Sequence, residues 1–95
     1  MTAYVLVDCD VTDPVRYEEY RRLAPAAIAQ YGGRYLVRGG ATTVLEGEWQ
    51  PKRIVVLEFP DADAARRFYD SPEYRAARAV RTGAAAMNVI VVEGV

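Results

Sequence analysis

Ala3 to Cys9 is a run of β-branched and aliphatic residues that sets Val5, Val7 and Cys9 on one side of a strand and Tyr4, Leu6 and Asp8 on the other. Thr12-Asp13-Pro14 breaks the run, with Asp13 suited to cap a helix and Pro14 to open it. The period then changes to three and four. Tyr17, Tyr20, Leu23, Ala24, Ala27, Ile28 and Tyr31 make an apolar stripe, while Arg16, Glu18, Glu19, Arg21, Arg22 and Gln30 fill the other side. Pro25 falls inside the stripe, lacks an N–H and crowds the preceding turn, so this position predicts a kink or two abutting helices. Gly32-Gly33 stops the helix, and a second glycine pair, Gly39-Gly40, closes a short strand from Arg34 to Arg38. Strict alternation there puts Arg34, Leu36 and Arg38 on one face and Tyr35 and Val37 on the other.

Thr42 to Gln50 reads as an extended excursion that carries the only tryptophan, Trp49, ahead of Pro51. A third strand, Arg53 to Phe59, sets Val55, Leu57 and Phe59 against Ile54, Val56 and Glu58. Pro60-Asp61 opens a helix with Ala65, Phe68 and Tyr69 on its buried side. Ser71 then caps a second helical piece with Pro72 at its first position, carrying Tyr74, Ala77 and Arg81. Gly83 weakens the end of that piece, and Met87 to Glu93 supplies the last strand.

The order is βαββαβ, which predicts an α+β fold: a ferredoxin-like antiparallel sheet with its helices on one face, in a single domain spanning residues 1–95. Two helical layers cover only one face of such a sheet, so the other face of a monomer should be polar. Instead the strands carry large apolar groups on both sides, Val89 and Val91 against Ile90 and Val92 in the last one. Exposure of that much apolar surface predicts a homodimer in which the open faces pack together or close into a barrel.

Composition narrows the chemistry. Twelve basic and thirteen acidic residues give a net charge of -1, which supplies no long-range field for nucleic acid or anionic membrane. Ninety-five residues suffice to fold without staples, and the lone Cys9 cannot form an internal disulfide. No apolar run approaches the ~20 residues that span a bilayer, and the first residues do not read as a signal peptide, so the expected setting is the cytoplasm. Histidine is absent. That removes the usual imidazole base, the usual haem ligand and the commonest transition-metal ligand, so no metal and no cofactor is expected. Neither glycine pair forms a phosphate-binding loop motif. Ser71 has no base beside it in the sequence pattern and reads as a helix cap.

The candidate chemistry sits on the open face. In this register Asp8, Arg34, Arg38, Glu58 and Asn88 share it among Leu6, Leu36, Val56 and Ile90. Two guanidiniums about 7 Å apart on one strand can grip a carboxylate or an enol oxygen, or can pair with Asp8 and Glu58 to fix strand register. Tyr17, Tyr20, Tyr31, Phe68, Tyr69 and Tyr74 form an aromatic set at helical spacing that reads mainly as core. Trp49, on an irregular segment, suits a dimer contact or a pocket wall. Arg81 either bonds helix-terminal carbonyls or reaches a cavity mouth beside Tyr74. Arg34, Arg38, Asp8, Trp49, Tyr69, Tyr74 and Arg81 are therefore the candidate ligand-binding residues. No catalytic residue is assigned.

Six segments together carry a resemblance: Thr12-Asp13-Pro14, Tyr31-Gly-Gly-Arg-Tyr-Leu-Val-Arg-Gly-Gly40, Leu45-Glu-Gly-Glu-Trp49, Val56-Leu-Glu-Phe-Pro60, Tyr69-Asp-Ser-Pro-Glu-Tyr74 and Val92-Glu-Gly94. Their combination resembles the family catalogued as domain of unknown function 1330. The resemblance implies a dimeric α/β barrel of ferredoxin-like subunits and supplies no activity, since its wider superfamily spans cofactor-free monooxygenases, lactone isomerases and haem-dependent members. Three readings are open. The first is a small dimer that binds an anionic or aromatic metabolite between helices and sheet or between the two sheets. The second is a cofactor-independent isomerase or oxygenase acting on an enol or phenol, with Arg34 or Arg38 steadying the enolate and a tyrosine, Asp8 or Glu58 moving the proton. The third is a structural dimer without a ligand.

Overall fold

Alternation and glycine stops translate into seven elements: β1 (Ala3–Val11), α1 (Pro14–Gln30), β2 (Arg34–Arg38), β3 (Ile54–Phe59), α2 (Ala62–Asp70), α3 (Pro72–Arg81) and β4 (Ala85–Glu93). They are described by a computed structural model that covers residues 1–95. The caps are those the sequence offers. Asp13 accepts from Arg16 N at 3.2 Å, Asp61 from Ala64 N at 2.7 Å, and the Ser71 hydroxyl accepts from Tyr74 N at 3.1 Å while donating to the Phe68 carbonyl at 2.7 Å. At the end of α1, Gly32 takes φ +80, and the N–H of Gly33 reaches back to the Ile28 carbonyl at 2.9 Å.

The sheet runs β2-β3-β1-β4, with every neighbour antiparallel. This is the ferredoxin-like α+β arrangement expected from the element order. On the helix side, Val5, Leu57 and Phe59 meet Ala24, Ala27 and Ile28 of α1, Ala64, Ala65 and Phe68 of α2, and Tyr74 and Ala77 of α3 in one buried cluster. Alanines dominate the helical share, which brings backbones close to the sheet, and aromatic rings fill the space left between them. Phe59 and Phe68 lie 5.2 Å apart and Phe68 and Tyr74 4.3 Å apart between ring centres.

The opposite face has no helix. Leu36, Val37, Ile90 and Val92 are exposed there, Ile90 at 58 %. Across that face Arg34 pairs with Glu58, its Nε donating to Oε1 at 2.7 Å. Residues 39–53 cross from β2 to β3 without regular structure. Asp8 pins this segment, accepting from Trp49 Nε1 at 2.9 Å and from Lys52 N at 3.1 Å.

Three expectations change. Strict alternation in β2 fails because the ladder slips between Tyr35 and Val37: Tyr35 stands opposite Leu57 but Val37 stands opposite Val56, which leaves Leu36 as an extra residue. A bulge of this kind re-aims the side chains beyond it. Arg38 consequently pairs in register with Val55 on the helix side, away from Arg34, and Val37 joins the open face. Pro25 neither splits nor ends α1, which runs unbroken from Pro14 to Gln30. The apolar stripe of α1 is also rotated from the expected one, with Leu23 39 % exposed and Arg21 turned toward the sheet.

Candidate functional site

Between the helices and the sheet lies a cavity of about 40 Å³, walled by apolar residues of β1, β3 and β4, by Tyr17, Tyr20, Tyr35, Tyr69 and Tyr74, and by three arginines, Arg21, Arg38 and Arg53. Room for one water takes roughly 10–15 Å³ on this scale, so the space suits a few waters or the head of a small molecule. No aspartate or glutamate lines it.

Each arginine arrives by a different local device. The bulge at Leu36 turns Arg38 inward, where its guanidinium carbon stands 4.5 Å from the centre of the Tyr35 ring. Pro25 supplies its second contact. Lacking an N–H, Pro25 cannot bond the carbonyl four residues back, and that carbonyl, Arg21 O, accepts instead from Arg38 Nη2 at 3.4 Å. Arg53 enters at the start of β3, where its carbonyl accepts from Cys9 N at 2.9 Å. Its guanidinium lies against Gly39, in the space a Cβ would take, and the φ of +74 at Gly39 is a left-handed backbone that favours glycine. Arg21 reaches the cavity from α1 and touches Glu18 at 3.4 Å outside it.

The Tyr35 hydroxyl feels all three. Burial raises its pKa, and the charges of Arg38, Arg21 and Arg53 oppose that rise. Salt bridges join Arg21 to Glu18, Arg22 to Glu19, Arg34 to Glu58 and Arg67 to Asp63, and leave Arg38 and Arg53 without a carboxylate. The Nε atoms of Arg21 and Arg53 are sealed from solvent with no acceptor from the protein, as are those of Arg78 and Arg81 outside the lining. Buried donors of this kind are rare because each unmade bond costs about 1–3 kcal/mol or more when charged.

Phenols complete the lining. Tyr20 and Tyr74 hydroxyls lie 2.7 Å apart. Since one proton serves that bond, the other is available to a third acceptor. Burial drives the Tyr20 pKa far up, with Tyr74 adding to the effect. Tyr17 is pushed up to about 12 by burial and by a hydrogen bond with Cys9, against an opposing bond from Arg53. The Cys9 thiol, itself buried, is likewise raised by burial. These groups are neutral donors at ordinary pH, and the cavity contains no proton acceptor of carboxylate strength.

The candidate residues thus divide between the two faces. Arg38, Tyr69 and Tyr74 line the cavity. Arg81 stands just outside its lining, 5.6 Å from the Tyr20 ring centre, and Arg16 rather than Arg81 bonds a carbonyl at the end of α3, that of Val80 at 3.1 Å. Arg34, Asp8 and Trp49 lie on the open face, where Asp8 serves Trp49 and Lys52 and does not pair with an arginine. Beneath Trp49 is a hollow of about 200 Å³ among Leu6, Ile54, Asn88 and Ile90. Arg21, Arg53, Tyr17, Tyr20 and Tyr35 are cavity residues beyond the set marked from sequence. The placement of Arg53 at the head of β3, in register with helix-facing Val55, was a signal for it. No group of three or more cysteine, aspartate or glutamate side chains gathers as a metal site, and no helix is long and apolar enough to cross a membrane.

This geometry has consequences for stability. Because Cys9, Tyr17, Tyr20 and Tyr35 all have raised pKa values, the folded state holds protons that the unfolded chain releases above about pH 9–10. Their contribution to stability is intact below that range and is lost as pH rises through the folded-state values. Urea midpoints measured from pH 7 to 11 should therefore fall on the alkaline side, less steeply in Tyr17→Phe; a midpoint flat to pH 11 contradicts the assignment. Pro25→Ala should return an N–H to the Arg21 carbonyl and stabilise the fold by about 1–3 kcal/mol in the same assay. A loss of stability would show that the proline ring itself is needed where it packs.

The family model described as domain of unknown function, DUF1330, matches residues 2–95. No functionally curated protein matches the chain. Among solved structures, a protein of unknown function from Rhodopseudomonas palustris superposes with a TM-score of 0.76 at 19% identity, over 99% of this chain and 82% of that one. A dimeric ferredoxin-like protein of unknown function from Jannaschia sp. CCS1 gives 0.70 at 15% identity, over 99% and 100%. SnoaB, a cofactor-independent oxygenase from Streptomyces nogalater, gives 0.62 at 16% identity, over 99% and 92%. At these identities the likeness is one of fold, and the family is set by the match that runs the length of the sequence: the chain belongs to the DUF1330 family.

Proposed function

We propose that this protein binds a small organic anion in the helix–sheet cavity of each subunit, and that the subunit works as a homodimer joined through the open face of its sheet. The observation that carries the first half is the convergence of Arg21, Arg38 and Arg53 on Tyr35 in an apolar space with no carboxylate, two of them with an Nε that no protein atom accepts. Arg38 and Arg53 have no carboxylate partner in the protein, and a carboxylate or enolate fits the paired donors of a guanidinium. The hollow under Trp49 is the weaker site for an anion, because its charged group is Asp8, an acceptor already engaged.

The position of the carboxylates bears on the enzyme reading. Asp8 and Glu58 lie on the other side of the sheet, so neither moves a proton in the cavity. An oxygenase or isomerase working there would have to receive a substrate that is already ionised, with arginine holding the anion. Binding is the reading that needs nothing further.

For the dimer, the support is the exposed apolar set Leu36, Val37, Ile90 and Val92 on one face, together with the Jannaschia neighbour, which is described as dimeric. A second copy covers this face and meets the Arg34–Glu58 pair at its edge.

Benzoate and its uncharged counterpart benzamide separate the ligand reading from non-specific apolar binding. Benzoate should raise the melting temperature in a saturable way and benzamide should not. Arg38→Gln and Arg53→Gln should each weaken benzoate at least tenfold in calorimetric titration, the loss expected for a charge-assisted bond. Equal binding of both compounds, or undiminished affinity in both variants, removes the anion site. Separately, light scattering should report a dimer for the native chain and a monomer for Ile90→Asp; a native monomer at micromolar concentration ends the dimer reading.

A further inference from the structure

The anion cavity is too small to be the whole of a binding site, and its wall leads somewhere. Val5, Phe68, Tyr69 and Val89 line it from one side and, from the other, line a groove of about 260 Å³ that opens between α2 and the outer strand β4. The rest of the groove is Ala65, Ile90 and Val91, with Arg66 and Asp70 as its only charged members. Tyr69 stands at the division between the two spaces. Its ring is held by the Arg78 guanidinium at 4.2 Å and lies 5.7 Å from the Tyr74 ring, and with Val5, Phe68 and Val89 it forms the shared wall.

Resting on the anion reading above, we propose that the ligand is amphiphilic: its carboxylate sits among Arg21, Arg38 and Arg53, and an unbranched or flat apolar body passes Tyr69 into the groove beneath α2. The cavity and the groove point to the same occupant. Three guanidiniums line the inner space and no carboxylate does, whereas the groove that shares four walls with it is apolar apart from Arg66 and Asp70. A purely polar anion would leave the groove unused, and a purely apolar ligand would leave the arginines unpaired. Entry by the β4 side also fits the sheet order. β4 is an edge strand, so no further strand closes the groove from that side. Tyr69 acts as a positioning residue for the apolar body, with its hydroxyl and ring on the line between the two spaces.

A series of straight-chain carboxylates tests this: acetate, butyrate, hexanoate and octanoate, each titrated into the native dimer or monomer as it exists in solution. Affinity should rise roughly threefold to fourfold for each methylene that leaves water, until the groove is full. Val91→Phe, which fills the groove from an accessible strand position, should flatten that rise while leaving acetate affinity at its native value; retained acetate binding also reports that the variant folds. Tyr69→Ala should change the affinity for hexanoate and octanoate more than for acetate. A series that binds with equal affinity at every length overturns the groove and leaves the anion site standing. So does a rise that survives unchanged in Val91→Phe. Absence of binding for all four acids removes the anion site and the groove with it.

Discussion

One surplus residue in a five-residue strand governs how this molecule distributes its charge. If β2 ran in regular alternation, Arg34 and Arg38 would share the open face and the helix side of the sheet would receive Val37 opposite Val55. The slip at Leu36 reverses that choice. Arg34 stays on the open face and is matched by Glu58; Arg38 turns to the helix side, still open to solvent, and meets the Tyr35 ring and a backbone carbonyl in a lining it shares with Arg21 and Arg53. The apolar inventory shifts in the opposite sense, since Val37 joins Leu36 in facing Val56 and thickens the apolar surface that a second copy would cover.

Several apparent defects in the chain serve the same cavity. Pro25 interrupts the bonding ladder of α1, yet the carbonyl it frees is taken by Arg38. Gly39 adopts a left-handed backbone that favours glycine, and the Arg53 guanidinium occupies the space beside it. The long crossing from residue 39 to residue 53 has no regular structure, yet Asp8 fastens it to β1 through Trp49 and Lys52, which sets where β3 begins and so where Arg53 enters. Each feature weakens local regularity and improves the placement of a guanidinium. Trading local regularity for placement in this way is common at sites that need a side chain held in one position.

The phenols show the other half of the design. Tyr17 and Tyr74 are buried, Tyr20 and Tyr69 partly so, and all four line the cavity, so apolar packing and hydrogen-bonding capacity come from the same side chains. Burial raises the pKa of Tyr17 and of Tyr20, which act as donors beside the guanidiniums rather than as bases. The cavity lining is therefore rich in donors and has no acceptor of carboxylate strength.

Element order, the helix caps at Asp13, Asp61 and Ser71, the glycine stop at Gly32-Gly33 and the two-sided apolar strands were all determined by the sequence, because each depends on residues within a few positions of one another. So was the aromatic character of the helix-facing core, which comes from helical spacing alone. Tertiary structure decided which face each arginine occupies. The bulge at Leu36 arises from how β2 meets β3, whose residues lie some twenty positions away, and no local preference of Arg-Tyr-Leu-Val-Arg marks it. The rotation that brings Arg21 inward, the use of the Arg21 carbonyl by Arg38 and the capture of Asp8 by Trp49 likewise depend on partners distant in the chain. Local spacing fixes the direction of a side chain relative to its own element, but the face it finally occupies is settled only when elements pair and one ladder has to absorb a residue that the other does not have.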